Sequence, residues 1–146
     1  MNIERLKKTL IEDEGIRYQA YKDHLGNWTI GIGHLIKKEE DYLIHRERPL
    51  LNSEIDVIFN IDLKQAIDDA RKFIDEKSID EIAFEIVVNM AFNLGLPKLS
   101  HFKKFQQALQ NKDYKLASQE MLDSRWAKQV PNRAGKLSLL MEDINA

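Results

Sequence analysis

Residues 14–34 read Glu14-Gly-Ile-Arg-Tyr-Gln-Ala-Tyr-Lys-Asp23-His-Leu-Gly-Asn-Trp-Thr29-Ile-Gly-Ile-Gly-His34. Tyr18, Ala20, Trp28, Thr29, Ile30 and Ile32 are largely strand formers, whereas Asp23-His-Leu-Gly-Asn27 is rich in turn residues. This pattern predicts a small β-hairpin or meander. Gly31 and Gly33 alternate with Ile30 and Ile32, leaving one strand face bare of side chains. Glycines so placed anticipate the close approach of a neighbouring element or a ligand.

On either side of this stretch the period changes from strand to helix. Ile3, Leu6, Leu10 and Ile11 predict a short amphipathic helix over residues 2–13, stopped at Gly15. Residues 35–52 are charged and irregular, with Pro49 as a breaker. Ser53 followed by Asp56 resembles a capping box ahead of a helical run from Ile55 to about residue 76. At ~1.5 Å per residue that helix exceeds ~30 Å, the natural strut between two lobes. The lobes are expected at roughly residues 1–60 and 61–146 of one domain. Ser78-Ile-Asp-Glu81 is a second capping-box match, followed by the wide apolar stripe of Ile82, Ala83, Ile86, Val87, Met90, Ala91 and Leu94. Gly95 and Pro97 end it, and the stripe predicts the central helix of the C-terminal lobe. Three shorter helices follow, around Phe102–Leu109, Tyr114–Leu122 and Ala134–Ile144. Strands only near the N-terminus and helices elsewhere make the fold class α+β.

Composition narrows the chemistry. The 146 residues contain no cysteine, which excludes a disulfide framework and any thiolate ligand or nucleophile. No apolar run approaches the ~18–20 residues that span a bilayer, and the N-terminus lacks the apolar core of a secretory signal. The expectation is a soluble protein without stable membrane association. The net charge of −2 points to no nucleic-acid partner. Its distribution is uneven. Residues 54–97 hold ten acids and four bases, and residues 98–146 hold five acids and nine bases, a basic third suited to an anionic polymer or to ordinary solvated helix faces. The four histidines lack zinc spacing, no phosphate-binding loop is present, and no serine sits in a nucleophile elbow. No metal and no cofactor are expected.

What remains is a polar cluster at the helix-to-hairpin junction: Glu14, Asp23, Thr29 and His34. Glu14 ends the first helix, where the dipole disfavours a negative charge. Asp23 lies in the hairpin loop and Thr29 on the returning strand, close enough to share a bound water. Two carboxylates and a hydroxyl around a cleft suit acid/base hydrolysis of a glycosidic bond. Each also has an ordinary structural use, as an exposed helix end, a turn aspartate and a strand threonine.

The same stretch resembles the phage-type lysozymes, the T-even bacteriophage endolysins of glycoside hydrolase family twenty-four. The matching pattern is Glu14-Gly15, then Tyr21-Lys-Asp23, then Thr29-Ile-Gly-Ile-Gly-His34. A second block, Asn89-Met-Ala-Phe92-Asn93-Leu-Gly95, is similar to the family's central helix of the C-terminal lobe. A third, Ser124-Arg-Trp126 through Pro131-Asn-Arg133-Ala, is similar to its last block. The blocks fall in the family's order, and the likeness thins in residues 35–52 and 96–120.

The resemblance implies a lysozyme-like fold with its cleft between the lobes. It implies Glu14 as general acid, Asp23 as the water-activating carboxylate and Thr29 as its partner. His34 would tie strand to helix by pairing with Asp62, and Arg133 would reach the acid's carboxylate. Leu35, Phe92 and Asn93 match substrate-contacting positions, Asn93 standing where a relative has glutamine. Phe105 and Glu120 stand where polar neutral contacts are expected, so substrate binding is not carried over to them. The implied reaction is hydrolysis of the β-1,4 bond between N-acetylmuramic acid and N-acetylglucosamine in bacterial peptidoglycan. The implied setting is a monomer held in the host cytoplasm until a holin opens the membrane and gives access to the periplasm and cell wall. Two rivals are a catalytically silent wall-binding module on the same fold and a helical protein–protein adaptor.

Overall fold

A computed structural model describes residues 1–145. The chain divides into two compact units, residues 4–65 and residues 66–146 with 1–3. The division falls at 65/66, against an expected boundary near residue 60.

The first unit opens with α1 (Ile3–Glu14), which buries Leu6 and Leu10. Gly15 ends it with φ +72°, its N–H donating to the Ile11 carbonyl at 2.8 Å. Three antiparallel strands follow in the order β1 (Arg17–Lys22), β2 (Trp28–Gly31) and β3 (His34–Leu35). Tyr21 pairs with Thr29 and Arg17 with Gly31, so β1 bulges between Arg17 and Tyr21. The third strand makes the sheet the meander of the two forms expected, and it begins at the end of the quoted stretch. Gly31 and Gly33, at φ +67° and +63°, make the tight turn into it. A 3-10 helix at Lys38–Leu43 gives the charged stretch its one regular piece. Ile30, Ile32, Leu43, Leu50, Ile55 and Phe59 are buried here, each contributing on the order of 1.5–3 kcal/mol.

The long helix α2 runs Asn52–Phe73. Its cap differs from the expected one: Glu54, not Asp56, reaches back, accepting from the Leu51 N–H at 2.9 Å. The helix starts two residues earlier than a cap at Ser53 would give, because the reciprocal acid sits three positions after Leu51 rather than after Ser53.

In the second unit the N-cap of α3 (Glu81–Leu94) is Asp80, whose carboxylate accepts from Ile82 at 2.7 Å, and not Ser78. Ser78 instead closes a 3-10 turn capped by Asp75. Every residue of α3 from Ala83 to Ala91 is buried, as befits a central helix. Around it stand α4 (Leu96–Leu99), α5 (Lys103–Gln110), α6 (Tyr114–Leu122), α7 (Arg125–Gln129) and α8 (Pro131–Glu142). Phe102 meets Phe105 and Trp126 edge-on, at 6.2 and 6.4 Å between ring centroids. The first residues of the chain belong to this unit for a definite reason. The Met1 α-amino group lies 3.1 Å from Glu81, and the Asn2 N–H donates to Glu85 at 3.1 Å.

Candidate active site

Six of the nine sequence-selected residues fall in the 4–65 unit: Glu14, Asp23, Thr29, His34, Leu35 and Asp62. Glu14 is the last residue of α1, and its side chain lies directly against the backbone of Gly33. A Cβ added at Gly33 would come within 2.6 Å of the Glu14 carboxyl carbon. The close approach anticipated from the glycines is therefore real at Gly33. At Gly31 an added Cβ meets only Ile55 at 3.8 Å, so its glycine answers to the turn's positive φ.

Asp23 opens the hairpin loop. Its Oδ1 accepts from the N–H groups of Leu25 and Asn27, both at 2.9 Å, while its own N–H donates to the Asn27 carbonyl. One carboxylate oxygen is thus occupied by the loop it organises. Among the described residues Oδ2 carries no hydrogen bond. Thr29 is 6% exposed, and its hydroxyl donates to the Asn27 carbonyl at 3.2 Å. Its lone pairs are left to accept from elsewhere.

Tyr21 stands opposite Thr29 in the strand pair, with the Arg17 guanidinium 4.9 Å from its ring centroid. Burial pushes its phenol above 10.0, the negative charge of Glu14 adds to this, Arg17 opposes, and Asp23 adds a further push. The phenol therefore feels both carboxylates.

His34 bridges two acids. Its Nδ1 is 2.7 Å from Asp62 Oδ2, and its Nε2 is 3.1 and 3.2 Å from the two Glu40 oxygens. The Asp62 hydrogen bond raises the histidine above 6.5, burial opposes, and the charge of Asp62 with the Glu40 contact completes the rise. Leu35, Thr29's other strand neighbour, is 55% exposed.

The remaining three lie in the helical unit. Phe92 is half-buried near the end of α3 rather than sealed in the core. Asn93 is exposed, its Oδ1 accepts from Trp126 Nε1 at 2.7 Å, and its amide N–H groups can still donate to a ligand. Arg133 sits on α8 at 7% exposure, a buried residue and not a surface one. Phe102, Lys103, Phe105, Glu120, Arg125 and Trp126 line a groove of about 800 Å³ in this unit.

Arg17, Tyr21, Asn27 and Glu40 received no role from the sequence. Tyr21 stood inside the quoted motif, and its register with Thr29 was the missing signal. Glu40 lay in a stretch with no period to read. No group of three or more acids or histidines able to hold a metal occurs among the described residues.

Within the 4–65 unit two carboxylates, Glu14 and Asp23, and the Thr29 hydroxyl accompany one small three-stranded sheet. The phage lysozyme family profile matches residues 11–141. The "Probable T4-type lysozyme 1" of Dictyostelium discoideum is 30% identical, covering 96% of this chain and 95% of its own. The "Probable T4-type lysozyme 2" of the same organism is also 30% identical, with the same coverage. The pre-baseplate central spike protein Gp5 of Enterobacteria phage T4 is 24% identical over 93% of this chain but only 27% of its own. The chain belongs to the phage lysozyme family. It is a lysozyme-type glycoside hydrolase whose substrate class is bacterial peptidoglycan.

Proposed function

We propose that the protein cleaves the β-1,4 bond between N-acetylmuramic acid and N-acetylglucosamine with Glu14 as acid and a water directed by Asp23 and Thr29. The observation that carries this reading is the hydrogen bonding around Asn27. Because the Thr29 hydroxyl donates to the Asn27 carbonyl, Thr29 can only accept from a water beside it. Asp23, with Oδ1 engaged by Leu25 and Asn27, offers Oδ2 to the same water. A water giving one hydrogen to Oδ2 and the other to Thr29 has its lone pair free for the anomeric carbon.

Glu14 transfers its proton to the glycosidic oxygen as the C–O bond breaks. The water oxygen bonds to the opposite face of the anomeric carbon, and its proton passes to Asp23. Attack opposite the leaving group inverts the centre, so the first product is the α-anomer. Solvent then restores the proton to Glu14 and removes it from Asp23. Arg133, Leu35, Phe92 and Asn93 are read as substrate-side or acid-supporting groups, and the His34–Asp62 pair as support for the strand that carries Thr29.

Proton NMR of the product, recorded before mutarotation, tests the direction of attack. An initial α-anomer is expected; an initial β-anomer would make Asp23 a nucleophile. Glu14→Gln should lower turnover by about 10²–10⁴ while leaving the fold intact. Wall binding by the unaltered protein without release of reducing ends would favour the silent wall-binding module.

A further inference from the structure

The two bases of β1 go to opposite faces of the sheet. Lys22 pairs with Trp28, and its Nζ lies 5.4 Å from the centre of that indole ring. Successive side chains alternate across a strand, so Tyr21 and its partner Thr29 share the other face. Between the Arg17 and Tyr21 pairings β1 advances four positions while β2 advances two, which draws Arg17 toward Tyr21. The Arg17 guanidinium carbon sits 4.9 Å from the Tyr21 ring centroid. Thr29 is flanked on its other side by the exposed Leu35. This face thus presents Leu35, the Thr29 hydroxyl and then Tyr21 with a guanidinium over its ring.

Arg17 is exposed, and among the described residues its guanidinium makes no hydrogen bond and no ion pair. The ring's quadrupole holds the cation without consuming its N–H donors. Five donors in a rigid fork match a carboxylate bidentately, and a fork already held in place loses little freedom on binding. Asp23 must be ionised to take a proton from water, so its charge repels an anionic chain, and a cation on the Thr29 face offsets that repulsion. The substrate class carries the matching group. Every muramic acid bears a lactyl ether whose carboxyl group is free or is extended by a stem peptide with carboxylates of its own, whereas N-acetylglucosamine has none.

We propose that Arg17 is a specificity-determining residue of the hydrolytic site: seated on Tyr21, it binds a carboxylate borne on the lactyl ether of muramic acid and so selects muramyl chains over neutral ones. This rests on the reading of Glu14 as acid and of Asp23 with Thr29 as the water-directing pair. Arg17 touches no reacting atom, and Tyr21 acts through it as a positioning residue.

The test uses soluble glycan chains bearing stem peptides, chains stripped of peptide to leave the free lactyl carboxylate, and each of these with its carboxylates capped as neutral amides. For the unaltered protein, kcat/KM should be about tenfold higher on a carboxylate-bearing chain than on its amidated counterpart. Arg17→Gln should abolish that preference, chiefly through KM, and Arg17→Lys should keep part of it. Tyr21→Phe keeps the ring and should keep the preference, whereas Tyr21→Leu removes the seat and should lower it. A preference confined to peptide-bearing chains assigns the carboxylate to the stem; one shown by stripped chains as well assigns it to the lactyl group. A preference that Arg17→Gln retains overturns the proposal, as does an equal loss on charged and amidated chains, which would mark a purely structural arginine. If the unaltered protein cleaves every chain without regard to charge, only the Arg17 role fails. If it releases reducing ends from none of them, the hydrolytic reading fails and the Arg17 role with it.

Discussion

Nδ1 of His34 lies 2.7 Å from Oδ2 of Asp62, joining the third strand to the long helix through one imidazole. The same ring reaches Glu40 through Nε2 at 3.1 Å, so a pair expected from the sequence is a trio in the structure. Burial works to raise the Glu40 carboxyl, but the Lys37 N–H and the His34 contacts outweigh it and hold the group below 4.5.

The signs of these shifts define a stability window. The raised histidine contributes in full below its ordinary 6.5, and the contribution fades as pH climbs through the folded value. The lowered Glu40 contributes above its ordinary 4.5, fading as pH falls through its own folded value. Both contributions coexist in mildly acidic buffer. Asp62→Asn should therefore cost about 1–3 kcal/mol there, and much less at alkaline pH where the ring is neutral in both states. Urea unfolding at the two pH values measures this, and equal losses would refute it.

Gly33→Ala should inactivate the enzyme more than it unfolds it. The new methyl would sit 2.6 Å from the Glu14 carboxyl carbon, and the backbone there has φ +63°. The backbone conformation alone costs roughly 1–2 kcal/mol for a residue with a Cβ. The carboxylate must also swing aside, and a displacement of ~1 Å can cost ~10²-fold in rate. Activity close to the original, in a protein with lowered stability, would show that the acid does not need its seat on Gly33.

Thr29→Ser and Thr29→Val separate hydroxyl from shape. Serine keeps an oxygen that can donate to the Asn27 carbonyl and accept from water, so turnover should stay within about tenfold of the original. Valine keeps the volume and loses the oxygen. It should lower kcat by about 10²-fold or more with KM little changed, since the water is held for the transition state. Steady-state kinetics on soluble glycan chains distinguish the two, and equal activity of the valine and serine variants would remove Thr29 from the mechanism.

Asn93 divides its side chain between structure and ligand. Asn93→Ala leaves the buried Trp126 N–H without its acceptor, at a cost of about 1–3 kcal/mol. Asn93→Asp keeps the acceptor and loses the amide donors, so the fold should hold while the KM for glycan rises. Thermal unfolding and KM, measured together, check this division; an unchanged KM in Asn93→Asp would leave the residue as a prop for Trp126.

The sequence made some of this legible and hid the rest for physical reasons. α1 and α3 were readable because apolar periodicity and a glycine stop agree at each, and the strands were readable from β-branched and aromatic residues flanking turn formers. Caps were misread twice by the same mechanism. Several polar residues cluster in the first turn of α2 and just before α3, and local spacing cannot say which one closes the capping hydrogen bond. The short helices α4 and α7, each of a turn or so, carry too few residues to show a period. At the candidate site, Glu14, Asp23 and Thr29 stood out by type and spacing. Tyr21 and Glu40 did not, because their importance comes from register and tertiary contact, and no residue advertises those in its own neighbourhood.

The hydrogen bond from Asn2 to Glu85 spans 83 positions, and all of residues 4–65 lie between its ends. A ribosome adds ~5–20 residues per second, so the second residue waits several seconds for its acceptor to be made. During that wait everything needed to fold residues 4–65 is already present. Once they fold, the span that must be closed is shorter than the chain's contour, and the entropy of closing it falls accordingly. Residues 1–3 thus find their place only after residues 4–65 and the Glu85 acceptor have been made.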